Sequence, residues 1–483
     1  MGAQPDSLEH LADRCLLPGF VGTTAPDWVR RRAAAGLGGI VLYGRNVESP
    51  EQLAALTEAL HRERPELLVG IDEEGGDVTR LEARTGSSYP GNLALGVGRD
   101  VALTRAVAAS MGAELAAAGI DLDLAPDADV NSNPDNPVIG VRSFGSDPAL
   151  VSEHVAAFVE GLQGTGVAAC AKHFPGHGDT SVDSHLDLPV VNEDPRASGA
   201  LQPFRAAIAA GVRSVMTAHL LVPSLDSVPA TLSWRILHAL LRSELNFEGL
   251  VISDGIEMRA IADGVGIVAG TVQALAAGCD AICIGGGLDS EAVVDELRDG
   301  IVAAVRDGRL AEDRLNDAAS RVDELAAWRR QRPATESRAD RAIGLRAAVR
   351  GLGSERLTRI GSDPVVVQLR ERPNIAVGAV PWGVSDHLAA LGSKPTSLDY
   401  DQPPVPVELV LATAAGRSLV IVVRDLHRHR WQQDAVERLL AGRPDAVLVE
   451  MGLPALKPAG GAWVRSHGAS RASGRAVAEA LLR

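Results

Sequence analysis

Seven short, unbroken apolar runs punctuate the first 285 residues, with longer alanine-rich amphipathic stretches between them. They are GGIVLYG from Gly38, LLVGID from Leu67, DLDLAPDADV from Asp121, GVAACAKHF from Gly166, SVMTAH from Ser214, GLVISD from Gly249 and DAICIG from Asp280. Apolar residues that run on without alternation are the mark of parallel strands covered on both faces. Strand then helix, repeated, predicts an α/β fold, and an eighth strand near LLPGF (16–20) would complete a TIM-type (β/α)8 barrel over residues 1–335. Several runs end in a polar residue: Asp72, His173, His219 and Asp254. Such a barrel carries its chemistry at the C-terminal ends of its strands. The plainer reading is that each of the four caps the helix that follows.

Composition narrows the partners. The chain has 483 residues, 46% hydrophobic and 23% charged, with 47 Lys and Arg against 62 Asp and Glu, a net charge of −15. A field of that sign repels phosphate backbones and anionic lipid, so nucleic acid and membrane surfaces are not expected partners. No stretch of about 18 apolar residues free of charge suggests a membrane span. The start, MGAQPDSLEHLADRCLLPGF, is acidic and polar where an export signal is basic and then apolar, and it predicts an uncleaved, cytoplasmic protein. Four cysteines (Cys15, Cys170, Cys279, Cys283) are too few for a disulfide scaffold, and Cys279 and Cys283 flank an apolar pair expected to be buried.

Beyond Ile284 the pattern turns helical, and an Arg-rich stretch without apolar periodicity places a domain boundary near residue 335. From 364 onward the runs PVVVQL, NIAVGAV, SLVIVVRD and DAVLVEMG predict a smaller α/β sandwich domain over 346–483, of no legible role. His427 and His429 are read as a solvated helix start. The glycine-rich GGGL (285–288) and GLGS (351–354) lack the spacing of a phosphate-cradling loop.

The densest polar segment runs from Lys172 to His185 (KHFPGHGDTSVDSH), where Pro175, Gly176 and Gly178 force a loop. Three histidines and two aspartates invite a metal, but in a loop no two of the histidines are held on a helix at i, i+4 spacing, and Lys172 repels a cation. Acid–base chemistry is the alternative. Asp183 lies two residues from His185, and a carboxylate there orients an imidazole and supports its protonated form. Asp254, ending a strand before a small Gly255, would stand at the barrel mouth as a nucleophile.

KHFPGHGDTSVDSHLDLP resembles the signature of the β-N-acetylhexosaminidase branch of glycoside hydrolase family 3. So do GIDEEGGDVTR (70–80), NPVIGVRSFG (136–145) and VISDGIEM around Asp254, which together span most of residues 14–330. The resemblance implies that Asp254 is the nucleophile, His185 the general acid/base and Asp183 its dyad partner. It implies that Asp72, Arg80, Arg142, Lys172 and His173 hold the sugar, with no metal and no cofactor; hydroxyl recognition suits those side chains. His177, between two glycines, is assigned no chemistry beyond fixing the loop. Two positions depart from the family pattern: Asp77 stands where a basic residue is common, and Gly255 where a larger one is.

The expected activity is that of a retaining exo-β-N-acetylglucosaminidase passing through a covalent glycosyl-enzyme. Few aromatic residues argue for short saccharides or cell-wall (muropeptide) fragments, and so for a role in peptidoglycan recycling. Three alternatives remain: phosphorolysis of the same glycosides, which an imidazole donor permits; a β-glucosidase; and a catalytically silent sugar-binding protein.

Overall fold

The computed structural model describes residues 7–331, 338–371, 375–457 and 459–483, so the boundary expected near 335 lies outside the described residues. The first part carries eight short strands: β1 (Leu16–Pro18), β2 (Gly39–Leu42), β3 (Leu68–Ile71), β4 (Leu122–Asp123), β5 (Ala168–Phe174), β6 (Ser214–Thr217), β7 (Leu250–Ser253) and β8 (Ile282–Ile284). β2 to β7 form one six-stranded sheet in chain order, and β1 pairs with β8; every pairing is parallel. A single bridge between Ile252 and Ala281 links β7 to β8. Between β1 and β2, Gly38 N–H donates to the Asp13 carbonyl (3.0 Å) before the strands begin.

Both faces of these strands are buried, as their unbroken apolar text requires. One set of side chains, including Leu17, Val41, Leu68, Leu122, Cys170 and Ile252, packs with Val322, Leu325 and Ala326 of the helix Glu312–Arg330. The alternate set, including Leu16, Ile40, Val69, Ala169, Val215 and Val251, packs into the layer of surrounding helices. All four cysteines are buried and unpaired. The run at 121–130 is strand only at Leu122–Asp123; past Pro126 the backbone leaves the ladder, and only Asp127 bridges back, to Lys172.

The second part is a six-stranded sheet, ordered β11 (Thr396–Tyr400), β10 (Val365–Leu369), β12 (Leu419–Val423), β13 (Val447–Glu450), β14 (Ala462–Arg465) and β9 (Gly353–Glu355). All its pairings are parallel except that of β9 with β14. Helix residues Val410, Val436 and Leu439 cover one face and Leu388, Val477 and Leu481 the other. One expected run fails. NIAVGAV was expected to be a strand, but residues 375–380 are turn and irregular backbone. Gly378 there has φ +71°, which a strand cannot accommodate, and the segment faces the first part of the chain instead.

The two parts are closely docked. The helix Ala342–Arg350 lies so near the 88–89 backbone that a Cβ on Gly344 would stand 1.9 Å from the Ser88 carbonyl oxygen. His429 stands at the N-cap of the helix Arg430–Gly442, and half-exposed His427 lies in a short 3-10 turn, Leu426–Arg428, where its Nε2 bonds the Pro134 carbonyl (2.8 Å) of the first part. Among the described residues no helix is long and apolar enough to cross a membrane.

Candidate active site

A cavity of about 580 Å³ opens where the first six-stranded sheet meets the second part of the chain. Asp72, Arg80, Arg142, Lys172, His173, His185 and Asp254 all line it; Asp183 stands behind His185. Of the four polar strand ends, three reach the cavity and His219 does not. Its buried imidazole bonds Thr231 through Nδ1 (2.8 Å) and donates from Nε2 to the Gly255 carbonyl (2.9 Å), so it braces the turn that presents Asp254.

Residues 72–80 leave β3 through a tight turn, with Gly75 and Gly76 at φ +73° and +62°. The turn points Asp72 and Glu74 at Lys172, whose buried Nζ lies 2.7 Å from each carboxylate. Burial disfavours the Lys172 cation, but those two charges outweigh it and its pKa is raised. Arg142 donates to both oxygens of Glu74 (2.9 and 2.8 Å), a bidentate clamp. Burial works to raise the Glu74 carboxyl; Arg142 and Lys172 overcome it and hold it well below the usual range. Glu73 turns away, accepting from the Thr79 hydroxyl and the Arg80 and Leu81 amides, and burial pushes its pKa up to about 7.

His173 bonds the Asp129 carboxylate through Nδ1 (2.8 Å), while Arg142 Nη2 lies 3.3 Å from its Nε2. Arginine offers no lone pair, so in the neutral ring Nε2 accepts and Nδ1 carries the proton. Asp127, Asp129 and His173 bring ligand-type atoms within 4.8 Å of one another. Arg142 Nη2, 3.8 Å from Asp127 Oδ2, fills the electrostatic place a cation would take. Asp127 and Asp129 had a visible signal, acidic residues inside an otherwise apolar run, that the sequence reading passed over. Glu74 also went unassigned, though it lies within the quoted GIDEEGG segment.

Asp254 follows β7 and accepts from the Gly255 amide (2.8 Å). Burial would raise its pKa, but the imidazoles of His173, His219 and His185 and that N–H hold it down at about 2. His185 is gripped by Asp183 through Nδ1 (2.7 Å), and its side chain stays 22% exposed. Burial lowers the imidazole's pKa; the Asp183 hydrogen bond and the charges of Asp254 and Asp183 more than reverse this. His177 fixes the loop, with Nδ1 bonded to Thr180 (2.9 Å), Nε2 to Ser184 (3.1 Å) and its amide donating to Asp129 (2.6 Å). Glu257 also faces the cavity, accepts from the Gly285 amide (2.8 Å) and is pushed up by burial.

The remaining wall comes from the second part of the chain. Residues 375–380 line the cavity, and Arg80 Nη2 donates to the Ala376 carbonyl (2.9 Å) while lying 3.8 Å from Asp72 Oδ2. Ionised carboxylate, dyad-held imidazole and a ring of fixed donors and acceptors form a site for a neutral polyhydroxylated ligand.

Comparison with known proteins gives the family. The model for the glycosyl hydrolase family 3 N terminal domain matches residues 25–325. The chain belongs to glycosyl hydrolase family 3, and with it to the glycoside hydrolases. This family 3 chain is 41% identical over 259 residues to the Beta-hexosaminidase of Alkalilimnicola ehrlichii, covering 51% of this chain and 73% of that protein. It is 33% identical over 331 residues, 63% of its length, to Beta-hexosaminidase A of Pseudoalteromonas piscicida, and spans 55% of that relative. The solved family 3 β-N-acetylglucosaminidase of Paenibacillus sp. str. FPU-7 superposes with a TM-score of 0.89 at 32% identity, covering 99% of this chain and 97% of that one.

Proposed function

We propose that this family 3 member is a retaining exo-β-N-acetylglucosaminidase acting on short saccharides, including cell-wall (muropeptide) fragments, with its eight N-terminal strands read as a TIM-type barrel and residues 346–483 as a second domain. The observation that carries the reading is the pairing in one cavity of a carboxylate, Asp254, whose pKa is held down at about 2, with an imidazole, His185, that Asp183 grips at 2.7 Å and whose pKa is raised. The relatives named β-hexosaminidase and the β-N-acetylglucosaminidase structure support N-acetylglucosamine as the sugar removed.

In the first step an Asp254 carboxylate oxygen attacks the anomeric carbon as the glycosidic C–O bond breaks, and the His185 Nε2 proton goes to the leaving oxygen. A glycosyl ester on Asp254 results. In the second, the now neutral His185 takes a proton from water, whose oxygen attacks the anomeric carbon and releases Asp254. Asp183 supports the imidazolium when it forms. Asp72, Lys172, Arg142, His173 and Arg80 orient the sugar through its hydroxyl and acetamido groups.

The test is p-nitrophenol release from the N-acetyl-β-glucosaminide and the β-glucoside, with and without phosphate, beside Asp254→Ala and His185→Ala. We expect turnover of the N-acetyl substrate only, a loss of at least about 10³-fold in kcat for Asp254→Ala, and about 10²-fold or more for His185→Ala on a poor leaving group. Preference for the glucoside, or full activity in Asp254→Ala, overturns the reading. Sugar 1-phosphate as product would replace hydrolysis by phosphorolysis at the same residues.

A further inference from the structure

Asp77, the position that departs from the family pattern, is answered from the far end of the chain. Its buried Oδ2 lies 2.9 Å from Arg424 Nη2, and its Oδ1 accepts from the Ala469 amide (2.6 Å). Arg424 directly follows β12, and its Nε lies 3.3 Å from Glu371 Oε1, just past β10. One buried guanidinium therefore joins the middle of segment 72–80 to the root of the loop that walls the cavity. On one side of Asp77 in that segment stands Glu74, which holds Lys172 and Arg142; on the other stand Val78, Thr79 and Arg80, all at the cavity. From the loop, the Ala376 carbonyl reaches back to the Arg80 guanidinium.

A buried pair of this kind contributes little net stability, because desolvating two ions offsets their attraction. What it fixes is geometry. With Arg424 between Asp77 and Glu371, Glu371, four residues before Ile375, cannot separate from segment 72–80 without stranding a buried charge. Ala376 then has one place to meet Arg80, and Arg80 one place to stand near Asp72.

We propose that Asp77 and Arg424 form an inter-domain latch that makes the second domain part of the saccharide site, with Asp77, Arg424 and Glu371 as positioning residues acting through loop 375–380 on Arg80. The inference rests on the reading that the cavity takes a saccharide. It gives the second domain a role in sugar affinity. The latch sets how tightly the sugar is held, and the Asp254 and His185 chemistry does not pass through it.

The test measures kcat and KM on the p-nitrophenyl N-acetyl-β-glucosaminide and, separately, the Kd of N-acetylglucosamine by calorimetry. The full-length variants are Asp77→Asn, Arg424→Met, Arg424→Lys, Arg80→Met and the double variant Arg80→Met with Arg424→Met. Arg350→Met, which removes an inter-domain hydrogen bond to the Gly98 carbonyl away from the cavity, serves as control. Asp77→Asn keeps the volume and the acceptor for Ala469, so it reports even if Arg424→Met does not fold. We expect KM and Kd to rise about tenfold or more in Asp77→Asn and Arg424→Met, as for loss of one charge-assisted contact, with kcat within about twofold. Arg424→Lys should recover part of the affinity, Arg350→Met should behave as wild type, and the double variant should be no weaker than Arg80→Met alone. Unchanged KM and Kd alongside a lowered melting temperature would reduce the latch to domain glue and overturn the proposal, as would additive effects in the double variant. Wild-type protein that binds the sugar without cleaving it would overturn the proposed function and leave the latch to be judged on Kd. Failure to bind or cleave would overturn both.

Discussion

At His185 two opposing effects meet, and under the proposed mechanism the one that wins sets the pH range of activity. Burial favours the neutral ring, while Asp183 at 2.7 Å and the charge of Asp254 favour the cation and prevail, leaving the pKa above its ordinary 6.5. At Asp254 the imidazoles of His173, His219 and His185 win against burial and hold the carboxyl at about 2. The combination that the proposed mechanism requires, Asp254 ionised and His185 protonated, therefore extends from about 2 up to the raised imidazole value. On a substrate with a poor leaving group, kcat/KM should show no acid limb from Asp254 in the accessible range and should fall as pH rises through the imidazole pKa, above 6.5. Asp183→Asn removes the main raising cause, so its basic limb should move acidward by about a unit or more. A pH–rate profile of wild type and variant checks this, and an unmoved limb would mean that a group other than His185 gives the proton.

At the scale of the element, the turn 74–78 sets the spacing of the polar network. Gly76 has φ +62°, and a Cβ there would stand 2.3 Å from the Gly91 Cα. Gly308 has φ +76° with nothing within 4 Å, so it isolates the cost of the backbone conformation alone. Gly308→Ala should cost about 1–2 kcal/mol, and Gly76→Ala should cost more than this, with a loss of sugar affinity that Gly308→Ala lacks. Urea unfolding and KM measured on both variants decide it; equal costs and unchanged KM would show that the turn tolerates displacement. That this segment turns and sets polar side chains at the cavity was legible in GIDEEGGDVTR, because acidic residues and paired glycines after an apolar run announce a turn with polar side chains on it. The run NIAVGAV misled for the opposite reason. Its composition suits a strand, and only contact with Arg80 and the cavity explains why it is apolar and irregular.

For the molecule as a whole, the helix Ala342–Arg350 belongs to both parts. Ile343 and Ala347 are buried in the first core, while Ala348 packs with Ala472 and Ala476 of the last helix. Docking this close should make unfolding cooperative across the chain, so calorimetry of the wild type should give one transition. Helix propensity alone would have Gly344→Ala gain up to about 1 kcal/mol. The 1.9 Å approach of that Cβ to the Ser88 carbonyl reverses the sign, because backbone on backbone has no rotamer with which to yield. We expect Gly344→Ala to lower the melting temperature and to split the transition into two; a stabilised variant with a single transition would show that the docking is loose.

The sequence by itself determined the strand and helix rhythm, the parallel character of the strands, the family, and seven of the polar residues that line the cavity from the first part of the chain: Asp72, Arg80, Arg142, Lys172, His173, His185 and Asp254. These are properties of local pattern: apolar continuity, turn-forming glycines and prolines, and polar residues at strand ends. Only the tertiary structure decided that Glu74 joins Lys172 to Arg142, that His219 braces Asp254, and that Asp77 meets Arg424 across 347 residues of chain. Those partners share no sequence period. Their spacing is set by how the strands and the two parts of the chain dock, and a charge shows its purpose only when burial forces it to find another.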